Sequence, residues 1–217
     1  MDYQLNINID SDGLNNIYSS GQSVVLVKSV VAGTGSSSDV VWVSFQPFQQ
    51  NTVTWTETYG IYASSTSIQS GATINRLSSV EDVSTGLIYT FASGSFTSGQ
   101  GGSSSVYTAE NAQQNGLNFG LSQSATINGV QVDSPLNIVP VNNNQTVTFE
   151  PLERVAIFLY STSNNGVVIS SVAGNALNVT LSSSNPSANI GFNDANNTFY
   201  LESSAQLSHR DVALALR

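Results

Sequence analysis

The chain has 217 residues, no cysteine, and only 9% charged residues, with 14 acidic side chains against 5 basic ones and a net charge of −9. Without cysteine there are no disulfides, no thiolate catalysis, no iron–sulfur clusters and no cysteine-ligated zinc. The scarcity of Lys and Arg argues against nucleic acid and against an anionic membrane surface, both of which need clustered cations.

The first residues alternate, with Tyr3, Leu5, Ile7 and Ile9 on one side and Gln4, Asn6, Asn8 and Asp10 on the other, which predicts a half-buried strand. Ser11-Asp12-Gly13 reads as a turn, and Leu14 to Tyr18 as a short irregular turn. Ser23 to Val31 is a nearly continuous apolar run around Lys28, the chain's only lysine, and predicts a central strand. A Gly/Ser loop from Ala32 to Asp39 leads into a strand from Val40 to Phe45, closed by Pro47.

Thr52 to Tyr62 is the most informative segment. Read as one strand, it places Val53, Trp55, Glu57, Tyr59 and Ile61 on one face and Thr54, Thr56 and Thr58 on the other. Further strands are expected at 72–77, 86–92, 105–109, 117–121, 125–132, 145–150, 154–160, 166–172, 176–182 and 198–202. Asn128-Gly129, Asn165-Gly166, Gly174-Asn175 and Asn185-Pro186 punctuate them. Ser93 to Ser105 reads as a low-complexity loop, and the tail from Ala205 to Arg217 as a last strand or a short helix. Many short strands with almost no helical period predict one all-β domain over residues 1–217. The expected form is a two-sheet antiparallel β-sandwich, with a β-barrel as the alternative.

The chemical equipment is sparse. The only histidine, His209, sits in the tail beside Arg210 and Asp211, and no G-x-S-x-G elbow accompanies it, so a hydrolytic triad is not expected. Asp10-Ser11-Asp12-Gly13, with Asn15 and Asn16, offers oxygen ligands, but the spacing is not that of an EF-hand. An Asx-rich turn is the plainer reading, and binding of a hard cation is left open. Glu57, Glu150, Glu153 and Asp194 could be drawn into a glycosidase pair, yet nothing in the sequence pairs them. Glu150-Pro151-Leu152-Glu153-Arg154 reads as a solvated strand start. Gly99 to Gly102 lacks the lysine and helix of a phosphate loop. The expectation is a binding protein, not an enzyme.

The site proposed from sequence is Glu57 with Trp55, Tyr59 and Trp42: an acid among aromatics, able to orient a flat ligand bearing an N–H or to hold a sugar ring. Met1 to Asn6 show no basic segment followed by an apolar stretch, so a secretion signal is not expected; no apolar run is long enough to span a bilayer, and three N-x-Ser/Thr triplets begin at Asn144, Asn178 and Asn196. A cytoplasmic location with unmodified asparagines is the expectation. Few charges on exposed strands leave edge or face pairing open, so a homodimer is expected as well.

Three stretches carry a resemblance: Asn16 to Lys28, Val41 to Phe48, and Asn51 to Ser64. Over these first 65 or so residues the chain resembles small cytosolic proteins of mushroom-forming fungi, among them the pink indolone-binding chromoproteins of oyster mushrooms. The resemblance implies a non-enzymatic pigment protein enclosing a small indole-derived chromophore and assembling as a dimer. Fungal fruiting-body lectins share the same acidic, Ser/Thr/Asn-rich, sandwich-like character, which makes glycan binding the main rival. A membrane-active defence protein is a further alternative.

Overall fold

The computed structural model describes residues 1–33, 37–161 and 164–203; the tail from Ala205 to Arg217, with His209, lies outside the described residues. The chain begins with β1 (Asp2–Asn8), helix α1 (Ser11–Ser19), β2 (Ser23–Ala32), β3 (Ser38–Asp39), β4 (Val43–Phe45), β5 (Gln50–Thr56) and β6 (Gly60–Ser64). It continues with β7 (Arg76–Val80), β8 (Leu87–Ala92), β9 (Ser95–Gln100), β10 (Tyr107–Asn111), β11 (Leu117–Ile127) and β12 (Val130–Pro135). The last strands are β13 (Asn137–Val141), β14 (Gln145–Tyr160), β15 (Leu177–Thr180), β16 (Ser187–Asn193) and β17 (Thr198–Leu201).

These strands form two sheets, as the alternation predicts. The larger runs β17-β16-β1-β5-β11-β13-β3, with β12 and β6 also on β11 and β7 on β6; it curls into a half-barrel. The smaller runs β4-β2-β14-β10-β8-β9, with β15 on β14. Both sheets are mixed, which corrects the expected all-antiparallel pairing: β1 lies parallel to β16 and β8 parallel to β10. The second case follows from β9, which folds back on one side of β8 and returns the chain in the original direction on the other. No described helix is long and apolar enough to cross a membrane.

Inward faces of the two sheets meet in the main core, where Leu5, Ile7, Leu26, Trp42, Phe119 and Phe149 are fully enclosed. β2 is apolar on both sides because its second face, Val25 and Val27, packs under Val41, Phe158, Val167 and Ile169. The expected strand at 166–172 is instead this plug: it makes only single bridges, Val168 to Val40 and Val167 to Thr73, while its side chains fill two small outer clusters.

Several expectations change for local reasons. Ser11–Ser19 is helix, not turn: Asp10 caps it by accepting from the Gly13 N–H at 2.7 Å. Gly13 is tolerated inside this helix because a Cβ there would come within 2.7 Å of the Phe192 ring. Asn128-Gly129 is a hairpin turn with both residues at positive φ; it splits the strand expected at 125–132 between β11 and β12, and β11 merges the first part of it with the strand expected at 117–121. Residues 145–150 and 154–160 likewise merge into β14. Its register against β2 slips between Pro151 and Val155, where proline has no ladder N–H to give. Ser95–Gln100, expected as loop, pairs with β8 as β9.

Thr52–Tyr62 is two strands. β5 and β6 both follow β11, but the ladder breaks from Glu57 to Tyr59 between them, leaving Glu57 and Thr58 exposed and Tyr59 buried. The Gln123 side-chain amide donates to Thr56 O at 2.6 Å, filling the interruption from inside.

Candidate functional site

Three polar side chains interrupt otherwise apolar inward rows. Lys28 follows Val24 and Leu26 on β2, Gln123 follows Phe119 and Leu121 on β11, and Glu153 precedes Val155 and Ile157 on β14. Alternation sends all three into the space between the sheets, where they meet. Lys28 Nζ donates to Glu153 Oε1 at 2.8 Å, to Gln123 Oε1 at 2.8 Å and to Tyr59 OH at 3.4 Å. Glu153 also accepts from Tyr59 OH at 2.8 Å and from Trp55 Nε1 at 2.9 Å. Trp42 Nε1 donates to the Gln123 backbone carbonyl at 3.0 Å. The ammonium lies 5.3–5.6 Å from the ring centres of Trp42, Trp55 and Tyr59, within cation–π range.

The sequence-derived site is therefore partly assembled. Trp42, Trp55 and Tyr59 converge as expected, but Glu57 does not join them. Its place in the row was inferred from one continuous strand, and the bend at residues 57–59 turns it to the surface, where its side chain is 44% exposed. There it accepts from Tyr3 OH at 2.6 Å and lies 3.9 Å from the N-terminal ammonium. The acid among the aromatics is Glu153, whose side chain is 13% exposed, and its counter-ion is Lys28, whose side chain is fully enclosed. Lys28 was legible as the one charge in an apolar run, whereas Glu153, expected in a solvated strand start, is instead drawn inward onto Lys28. The helix-capping role of Asp10 uses up part of the oxygen cluster near Asp12, and among the described residues no three Asp, Glu or His side chains come together to hold a metal.

Burial pushes the Lys28 ammonium down to about 8, because lost hydration outweighs the attraction of Glu153. Burial raises the Tyr59 hydroxyl, with the Glu153 carboxylate adding to it. Burial raises Tyr62 too, against a small opposing pull from Arg76.

A second feature is open to solvent. A groove of about 850 Å³ runs between α1, the 46–50 segment and the outer face of β1, β16 and β17. Tyr18, Phe48 and Tyr200 line it and are 49%, 62% and 37% exposed. Phe48 is held from below by Asn51, which is buried: its Oδ1 accepts from Phe48 N at 2.8 Å, and its Nδ2 donates to Phe48 O at 2.7 Å and to Ile7 O at 3.1 Å. Tyr18 OH donates to Pro47 O, tying the helix to the same segment. The Tyr200 ring lies flat over Gly191, its partner across the β16–β17 ladder; a Cβ at 191 would come within 2.4 Å of that ring.

One register row, Tyr200–Gly191–Asn8–Gln50, crosses four strands of this face. Beside it, Asn6 Nδ2 donates to Asn189 Oδ1 at 2.9 Å, Asn8 Nδ2 to Glu202 Oε2 at 3.2 Å, and Gln49 Nε2 to Ser11 Oγ at 2.8 Å. Among the described residues the groove lining includes Asp10 and Glu202 but no Lys or Arg. Sequence reading missed it because its residues come from four separated segments and none is a motif.

Comparison with protein-family models, curated proteins and solved structures finds no match to this chain.

Two outcomes follow for the buried cluster. Glu153→Leu leaves a buried cation without its counter-ion and should cost at least about 3 kcal/mol in urea denaturation, whereas Glu57→Gln should cost less than about 1 kcal/mol; the reverse order would contradict the assignment. For Tyr59 and Tyr62, whose folded hydroxyls are raised, stability is fully present below the unfolded value near 10 and falls as pH rises above it. Each contributes a decline of about 1 kcal/mol between about pH 10 and 11, approaching about 1.4 kcal/mol per pH unit above that. Tyr59→Phe should make that decline shallower by one such increment in denaturation curves taken across the range.

Proposed function

We propose that this protein is a non-enzymatic glycan-binding module, a lectin, whose ligand is a neutral saccharide seated in the groove beside α1. The observation that carries this reading is the pairing of held aromatic faces with a field of amides. Sugar rings present apolar C–H faces that lie against Phe and Tyr rings, and hydroxyl edges that exchange hydrogen bonds with Asn, Gln and carboxylate side chains. Phe48 is a large exposed aromatic on a backbone clamped by the buried Asn51, so it loses little freedom on binding. With Asp10 and Glu202 in the lining and, among the described residues, no cation, the groove favours neutral sugars and repels sialylated or uronic ones.

A second reading is favoured by a separate feature. An apolar pocket of about 330 Å³ is lined by Leu77, Phe91, Gly94, Gln113, Asn115 and Leu117. It would take a small flat aromatic such as an indole-derived pigment, with the Asn115 side-chain amide in the lining; the Gln113 amide oxygen is taken by the Ser93 and Gly94 N–H groups. Absorption above the protein band in purified material, with an extractable chromophore, is the outcome that reading requires.

For the glycan reading, titration calorimetry after a glycan array should show binding of neutral and not of acidic saccharides. Phe48→Ala and Tyr200→Ala should each weaken it at least about tenfold, or about 1.4 kcal/mol. Gly191→Ala should weaken it as well by lifting the Tyr200 ring. A silent array, or affinity untouched by both alanine substitutions, would overturn the proposal.

A further inference from the structure

The geometry points to a self-catalysed covalent cross-link between the two sheets: an amide joining Lys28 Nζ to Gln123 Cδ, formed with Glu153 as proton carrier and released ammonia as the only by-product. Lys28 stands on β2 of the smaller sheet and Gln123 on β11 of the larger, so the bond would span the core of the sandwich. The reacting groups already touch. Nζ is 2.8 Å from Gln123 Oε1. The carbonyl carbon lies one C=O bond of about 1.2 Å further, and so within about 4 Å of Nζ, close to near-attack range. Gln123 is held in place from its other end, where Nε2 donates to Thr56 O at 2.6 Å. Glu153 Oε1 sits 2.8 Å from Nζ, and Glu153 is itself held by Trp55 and Tyr59.

The step balances without any co-reactant. Glu153 takes a proton from the ammonium, exposing the nitrogen lone pair. That pair attacks Cδ; the Nζ–Cδ bond forms and the carbonyl electrons move onto Oε1. Glu153 hands that proton to Nε2 and takes a second one from Nζ. The oxyanion collapses, the Cδ–Nε2 bond breaks, and the nitrogen leaves as ammonia, which takes the second proton from Glu153 and departs as ammonium. The surroundings favour this course. Burial already lowers Lys28 to about 8, so its neutral, nucleophilic form is far more populated than in a free lysine. The Lys28 side chain is fully enclosed, which keeps water from competing for the amide, while the slight exposure of Glu153 marks the way out for ammonia.

The measurement is the intact mass of the full chain, purified and denatured. The expected value is lower than the sequence mass by one ammonia, with a proteolytic fragment pair joined through Lys28 and Gln123. A succinimide at Asn115-Gly116, Asn128-Gly129 or Asn165-Gly166 would give the same deficit. An amine-acylating reagent used under denaturing conditions separates the two: Lys28 is the only lysine, so the cross-linked chain reacts at its N-terminus alone. Full mass, or a Lys28 amine that reacts, overturns the inference in the wild-type chain itself, with no dependence on a variant that folds. Glu153→Gln, which keeps the side-chain shape, should retain full mass and a reactive Lys28. If it still loses ammonia between Lys28 and Gln123, the role given to Glu153 is wrong.

Discussion

A cation enclosed between two sheets as the chain folds is the constraint that shapes this interior. Taking an ammonium out of water costs several kcal/mol even after relaxation, and mutual attraction offsets that only where the geometry is good and every donor is used. Lys28 meets both conditions: its donors are taken by Glu153, Gln123 and Tyr59, and three aromatic rings surround it. Each partner is in turn occupied. Trp55 and Tyr59 hold Glu153, and Thr56 holds Gln123. A network satisfied to this degree specifies one arrangement of the two sheets, since any slip of β2 against β11 strands a buried charge.

Local backbone irregularities exist where they serve this cluster. The slip between β14 and β2 falls between Pro151 and Val155, the stretch that contains Glu153. The break between β5 and β6 falls opposite Gln123, whose amide replaces the missing ladder bond at Thr56. Bulges and interruptions commonly re-aim side chains in this way. The same break removes Glu57 from the interior, so the wall receives one carboxylate and not two. Two carboxylates against one lysine would leave a buried negative charge unanswered.

The fold class was legible in the sequence because period-2 alternation is a direct consequence of strand geometry, and Tyr3/Leu5/Ile7 or Phe119/Leu121 obey it without exception. The aromatic members of the cluster were legible for the same reason. Glu57 misled because alternation extends only as far as the strand does, and nothing in Thr56-Glu57-Thr58-Tyr59 announces a bend: there is no Gly or Pro until Gly60. Of the three polar members Lys28 alone was visible, as a charge in an apolar run; Glu153 read as solvated and Gln123 fell between two expected strands. Their meeting was not visible, because it depends on strand order, and β2, β11 and β14 are far apart in the chain. α1 was hidden by its own solution to a packing problem. Gly13 lowers helix propensity, yet only glycine admits the Phe192 ring so close to the helix.

Interior and groove are joined through single strands. β5 carries Trp55 inward to Glu153 at one end, and at the other it carries Gln50 to the groove and Asn51 beneath Phe48. β1 likewise buries Leu5 and Ile7 while presenting Asn6 and Asn8 outward. Whatever holds β5 in register therefore also sets where Phe48 stands relative to Tyr200. An exposed aromatic surface is useful for recognition only when its rings are fixed at a constant separation, because the ordering cost otherwise falls on binding. The charged cluster at the centre thus bears on the groove without touching it: it restrains the strands whose outer faces and ends compose that surface.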